Sequence, residues 1–289
     1  MAVTTSTTLE ELVKTEVINP VILNYARNAT PSAQYMFWQD LRGQAGKVGS
    51  FGQWVLDTHV DAGETTNVTE ETLETTQTAV TAAEVVVRRD LTYATIEETI
   101  IGVGLFDFVT RDAGLLLGLA LEDDICALYP SLATSVGTSG SNLTIANMVE
   151  AQAQVRINGK FGNMAIILDD QQALDYQSAQ AAATSTTING WMVANTQAGS
   201  AYLGTFMNSE VWQTGLCDTA NTGANVVGAC FIRGDTDPAD ACFGAVMTRD
   251  VQTRMRDDVE GRSYILVTSA KWGVAEVADL SGAKIVTDA

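Results

Sequence analysis

Apolar residues enter this chain in several different rhythms, and each change of rhythm marks a change of element. Near the start, Leu9, Leu12 and Val13 recur at helical intervals, and Thr7 and Thr8 stand at the capping-box distance from Glu10 and Glu11. The first segment therefore reads as a helix that Pro20 interrupts and Pro31 ends. The cluster Tyr35-Met36-Phe37-Trp38 follows on a short element before Gly43 and Gly46, and it can pack on its own core or on a neighbour. From Val48 to Val87 apolar residues thin to isolated points in dense threonine: Phe51, Trp54, Val55, Val60, Val68, Leu73 and Val80. Such alternation favours strands, so the stretch reads as a long two-stranded excursion with its tip near Ala62-Gly63. A ribbon this polar is marginal alone in water; it is either a solvated insertion or an arm lying on another subunit.

After the strand Glu84 to Asp90 comes the longest helical pattern, Leu105 to Tyr129, with apolar residues at 105, 109, 113, 116, 117, 120, 121, 125 and 128. Those roughly 25 residues would span about 37 Å, and Pro130 stops them. Ser131 to Asn142 is a Ser/Thr/Gly loop, beyond which the pattern becomes α/β. Asn142 or Thr144 caps a helix Ile145 to Ile157 that Asn158-Gly159 ends. Met164 to Leu168 is a wholly apolar strand, and Asp169-Asp170 caps a helix through Tyr176. Polar loops are expected at Ala181 to Gly190 and Gly215 to Asn225. The last third reads as strands at Val226 to Ile232, Phe243 to Thr248, Val251 to Arg256, Ser263 to Ala270, Val274 to Val277 and Ala283 to Thr287. The fold class is α+β, without an internal repeat of the 20-to-50-residue kind.

Charge changes the picture next. The 289 residues carry 35 acidic and 16 basic side chains, a net charge of −19, which excludes a fold that grips nucleic acid through phosphates. Seven of the acids, Asp57, Asp61, Glu64, Glu70, Glu71, Glu74 and Glu84, fall between Val48 and Val87, where no lysine or arginine occurs. The single histidine, His59, removes most imidazole metal sites and most triads. The four cysteines, Cys126, Cys217, Cys230 and Cys242, stand far apart in apolar settings and read as core residues in a reducing compartment. The longest apolar run, Ala113 to Leu121, is too short for a membrane span, and the start has no basic and apolar secretory pattern. A soluble, acidic, intracellular product is expected.

Candidate chemistry then thins out. Asp169-Asp170 is explained by helix capping. Glu122-Asp123-Asp124 points in different directions on a helix and reads as a solvated face. His59 has no G-x-S-x-G partner, and Gly102-Val-Gly104 and Gly159-Lys160 lack the spacing of a phosphate or dinucleotide loop. With no catalytic constellation, cofactor or metal site in view, the expectation is a structural or binding protein and not an enzyme. The arginines carry more. Arg88 and Arg89 close the strand after the acidic stretch, Arg249, Arg254, Arg256 and Arg262 gather late, and Arg254 and Arg256 share a strand face. An acid-only arm and basic strands are what arms docking on neighbouring copies would need. The candidate contacts between copies are Asp57, Asp61, Glu64, Glu70, Glu71, Glu74, Arg88, Arg89, Arg254 and Arg256, with Tyr35, Phe37 and Trp38. The plain alternative is that these pairs close within one subunit.

In element order the chain resembles the tailed-phage major capsid proteins of the HK97 fold. The resemblance runs from the N-terminal segment through the extended stretch to the helix LLLGLALEDDICALYPS (Leu115 to Ser131). It continues in NGKFGNMAIILDDQQALDYQSA (Asn158 to Ala179) and the closing strands YILVTSAKWGVAEVADLSGAKIVT (Tyr264 to Thr287). It implies an N-terminal arm (1–45), an extended two-stranded E-loop (46–82), a peripheral domain with a long spine helix (83–135), an α/β axial domain (136–250), and returning strands (251–289). It further implies pentamers and hexamers of an icosahedral shell around a double-stranded DNA genome, in a virion assembled in the host cytoplasm. A separate scaffolding protein, a portal and a decoration protein are partners of that setting. Some members weld their shells through an E-loop lysine; the only lysine near that loop, Lys47, stands at its base, so no such crosslink is expected. An encapsulin-like nanocompartment has the same fold and size, and an α+β carboxylate or metal enzyme is the distant third reading.

Overall fold

The computed structural model describes residues 30–44, 46–54, 75–98, 104–182, 192–194, 201–217, 219–220 and 224–288. The N-terminal helix, the tip at Ala62-Gly63 and the acids Asp57, Asp61, Glu64, Glu70, Glu71 and Glu74 lie outside the described residues, as does His59.

A 3₁₀ turn at Ala33–Tyr35 leads into β1 (Phe37–Asp40). Strands β2 (Val48–Trp54) and β3 (Thr75–Thr81) pair antiparallel, the two-stranded excursion expected from the threonine pattern. Its base is not solvated throughout. Phe51 and Val80 are buried against Leu41 and Val246, and Phe51 meets Phe37 edge-on at 5.5 Å. β4 (Ala83–Thr92) follows, then the short α1 (Tyr93–Glu98).

The long helix α2 spans Gly104–Cys126, and Tyr129–Ser131 forms a 3₁₀ turn containing Pro130. Two adjacent rows of it are buried: Val109, Ala113, Leu117 and Ile125, and beside them Thr110, Gly114, Gly118, Glu122 and Cys126. Glu122 therefore does not belong to a solvated face with Asp123 and Asp124. The four-residue spacing puts it on the row that faces the core.

Beyond the loop, β5 (Ser135–Val136) and α3 (Ile145–Ile157) appear, the helix capped by Thr144, whose side chain and that of Asn147 close a capping box. β6 (Met164–Leu168) is buried throughout, and α4 (Asp170–Ala182) starts at Asp169, whose Oδ1 accepts from the Gln171 amide. That helix runs six residues past Tyr176. The short β7 (Met192–Ala194) pairs with β8 (Tyr202–Phe206), which turns into β9 (Ser209–Gln213). Then come β10 (Thr219–Ala220), β11 (Asn225–Ile232), β12 (Phe243–Asp258), β13 (Ser263–Glu276) and β14 (Gly282–Asp288). Two expected breaks are absent. Arg249-Asp250 is absorbed in β12 as a shift of register, and the stretch around Trp272-Gly273 stays in β13 with Trp272 buried. The boundary expected at 250/251 thus falls inside one continuous strand.

The larger sheet runs β5-β14-β11-β6-β9-β8-β7, with β10 beside β11. Alternate residues of β6 serve two cores. Met164, Ile166 and Leu168 pack with Met148, Val155, Tyr176 and Phe206, and Ala165 and Ile167 pack with Phe231, Ile125 and Tyr129. The second core also holds Tyr35, Met36 and Phe243, and Phe231 and Phe243 meet edge-on at 5.0 Å. Each such buried ring contributes about 1.5–3 kcal/mol. This core ties the end of α2 and the segment at residues 33–36 to the large sheet. All four cysteines are free and buried, as expected of core residues. No described helix is long and apolar enough to cross a membrane.

Candidate subunit interface

The smaller sheet has the order β1-β12-β13-β4. Its inner face is covered by α2, where Leu117 packs on Ala270 and Trp272, and Val109 on Leu91 and Leu266. Among the described residues its outer face is covered at one end only. There the β2–β3 hairpin crosses so closely that a side-chain carbon on Gly273 would stand 2.6 Å from the Thr81 carbonyl oxygen, and one on Gly244 2.8 Å from the Phe51 ring. No described residue covers the other end of that face.

Register fixes what the open end carries. Arg254 lies opposite Val267 and Arg88, Arg256 opposite Ile265 and Asp90, Arg249 opposite Lys271 and Glu84, and Asp258 opposite Ser263. Directly opposite residues share a face. Five basic side chains (Arg88, Arg249, Arg254, Arg256 and Lys271) therefore stand among three acids (Glu84, Asp90 and Asp258), an excess of positive charge on a chain of net charge −19. Val86, 52% exposed, sits among them with half-buried Ile265 and Val267.

Some of these charges are engaged within the subunit. Arg88 reaches Asp90 at 2.9 Å, and that donation holds the Asp90 carboxyl below the usual carboxylate range. Arg249 donates to Glu84 and to Ser269, with the same effect on Glu84. Exposed pairs of this kind are worth about 0–1 kcal/mol, so a partner can exchange them. Arg254 and Arg256 are exposed and make no ion pair among the described residues.

The structure thus brings Arg88, Arg254 and Arg256 together and separates the other described candidates, Arg89, Tyr35, Phe37 and Trp38, from them. Arg89 is on the inner face and donates to Asp112 of α2 at 2.7 and 2.9 Å. Tyr35 is spent inside its own subunit: it is 2% exposed, its hydroxyl donates to Glu210, and the Arg233 guanidinium lies 4.5 Å over its ring. Phe37 holds the hairpin base. Trp38 donates to the Ala33 carbonyl at 2.7 Å and lines a cleft of about 500 Å³ with Leu117, Leu121 and Trp272. Arg249 and Lys271 complete the basic face. Alternation along β12 reveals Arg254 and Arg256, but only the pairing of three strands adds Arg88, Arg249 and Lys271.

No protein-family model and no curated protein matches the sequence. Solved structures do match the fold. The capsid of cyanophage P-SCSP1u superposes with a TM-score of 0.63 at 12% identity, covering 90% of this chain and 88% of its own. The virus-like particle from Pyrococcus furiosus gives 0.57 at 12% identity, over 94% of this chain and 99% of its own. The capsid of a native GTA particle gives 0.60 at 11% identity, over 91% of each. With phage capsids superposing across about nine-tenths of its length, the chain has the HK97-like fold of the tailed-phage capsid proteins.

Proposed function

We propose that this chain is a major capsid protein, whose copies close as pentamers and hexamers into an icosahedral head enclosing double-stranded DNA. The observation that carries the reading is the match over almost the whole chain to a phage capsid, with no large part of either chain left over for another activity. The open basic end of the smaller sheet supports it, because the same chain carries an acid-only stretch between Val48 and Val87 that a neighbour could lay there. The role is structural, and self-association is its whole mechanism: many weak contacts repeated by symmetry. Electron microscopy of the purified protein tests it. Uniform icosahedral particles are expected, and monodisperse small oligomers would overturn it.

A nanocompartment shell is the second reading, favoured by the match to the Pyrococcus furiosus particle, whose chain is covered to 99%. Particles taken from the native source separate the two. Nuclease-protected DNA inside them supports a phage head, and a single enclosed protein supports a compartment.

A further inference from the structure

Glu122 is 0% exposed in the core between α2 and the large sheet, and no ion pair involves it among the described residues. What holds it is Ser32, also 0% exposed, from the turn that precedes β1. The Ser32 amide donates to both carboxylate oxygens, at 3.1 and 3.3 Å, and the Ser32 hydroxyl donates to Oε1. Tyr129 in turn donates to the Ser32 hydroxyl at 2.8 Å, and the Cys126 thiol lies 4.0 Å from Oε1. One carboxyl of α2 is thereby fastened to the chain ninety residues earlier, where Trp38 braces the next carbonyl, that of Ala33.

We propose that the burial of Glu122 beneath the turn at residues 30–36 makes the docking of that turn on the long helix pH-sensitive, closed when Glu122 is protonated and opened more readily when it ionises. The titratable groups that face Glu122 are Cys126 on its own helix and Tyr129 in the following turn, with Cys217 of the loop after β9 beside those two. The Cys217 thiol and burial push Cys126 up, and burial pushes Tyr129 up, so both stay neutral and neither supplies a positive charge. Burial raises the Glu122 carboxyl to about 7, against the opposite pull of the two Ser32 donors. A carboxyl raised in the closed state holds its proton there and releases it on opening, so opening becomes easier as pH rises from the ordinary carboxylate range through 7. If the open state restores the ordinary value, the opening equilibrium grows on the order of thirtyfold between about pH 5.5 and 8.5.

Hydrogen exchange of the unassembled full-length subunit tests this whether or not the shell reading holds. Protection factors for residues 32–38, normalised to the intrinsic rate at each pH, should fall about thirtyfold across that range. Glu122→Gln, which keeps the size and an acceptor but cannot titrate, should give a flat profile. A flat wild-type profile, or an equal fall in Glu122→Gln, overturns the proposal. Should that variant fail to fold, Ser32→Ala decides. It removes one donor to the ionised form, so the ¹³C-carboxyl midpoint near 7 should move upward, and an unmoved midpoint overturns the assignment.

Discussion

Arg233 joins three neighbours that lie far apart in sequence. It donates to Glu210 at 2.6 Å and Asp235 at 2.8 Å while lying over the Tyr35 ring, and its own side chain is only 18% exposed. Burial would raise the Glu210 carboxyl, but donation from Tyr35 and Arg233 outweighs it and leaves that group below its usual range. Arg233→Ala strands two carboxylates and should cost about 2–3 kcal/mol in urea unfolding, with Arg233→Lys intermediate because it keeps the charge and loses the fork. The stabilisation from a lowered carboxyl is present above its unfolded value and lost as pH falls through its folded one. Wild type should therefore lose more stability than Arg233→Ala on acidification from pH 7 to 3. Tyr35 is legible in the sequence as part of a sticky cluster, but its use is not, since Glu210 stands 175 residues away. Glu122 is more nearly legible: it continues the row Thr110, Gly114, Gly118 and Cys126 at four-residue spacing, and only its charge argues for solvent.

At the scale of elements, α3 and β6 keep the bounds expected for them, because a cap, an apolar run and an Asn-Gly stop are local signals that nothing distant contradicts. The β8–β9 hairpin carries no such signal. Its turn places Met207 and Asn208 at φ 45° and 72°, a conformation usually announced by Asn-Gly, and here tertiary pairing imposes it on a methionine. The sequence pattern divides β12 and β13 into four strands because Arg249-Asp250 and Gly273 resemble punctuation. Gly273 instead lets β3 cross the sheet within reach of its Cα. Gly273→Ala drives a methyl group into the Thr81 backbone and should cost about 1–3 kcal/mol. Because the strain falls on the hairpin base, particle yield should drop further than the melting temperature accounts for. A variant that melts lower but assembles at wild-type yield would show that the hairpin's seat on the sheet does not matter to association.

For the whole molecule, a charge of −19 argues first against gripping nucleic acid through phosphate contacts. The fold places that charge more specifically, since five of the 16 basic side chains share one sheet face and no lysine or arginine falls within the acidic Val48 to Val87 stretch. In a container, overall negative charge keeps a wall from adhering to packed DNA, and a local exception is then useful only for contacts between copies. Each exposed pair is worth about 0–1 kcal/mol, so a single contact decides nothing and a shell's worth of them decides assembly. Replacing Arg254 and Arg256 together by Glu should leave the subunit folded, since neither side chain makes an ion pair among the described residues, while particle yield falls steeply. Screening shortens such attraction to about 10 Å at 0.1 M salt, so wild-type yield should also decline as salt rises. If the acids Glu70, Glu71 and Glu74 are the partners, changing them to Lys should abolish assembly alone and restore it in the Arg254→Glu, Arg256→Glu background. Shells of normal yield from either charge-reversed parent would locate the contacts elsewhere on the molecule, because a heterologous interface repeated around a closed shell cannot tolerate like charges at every copy.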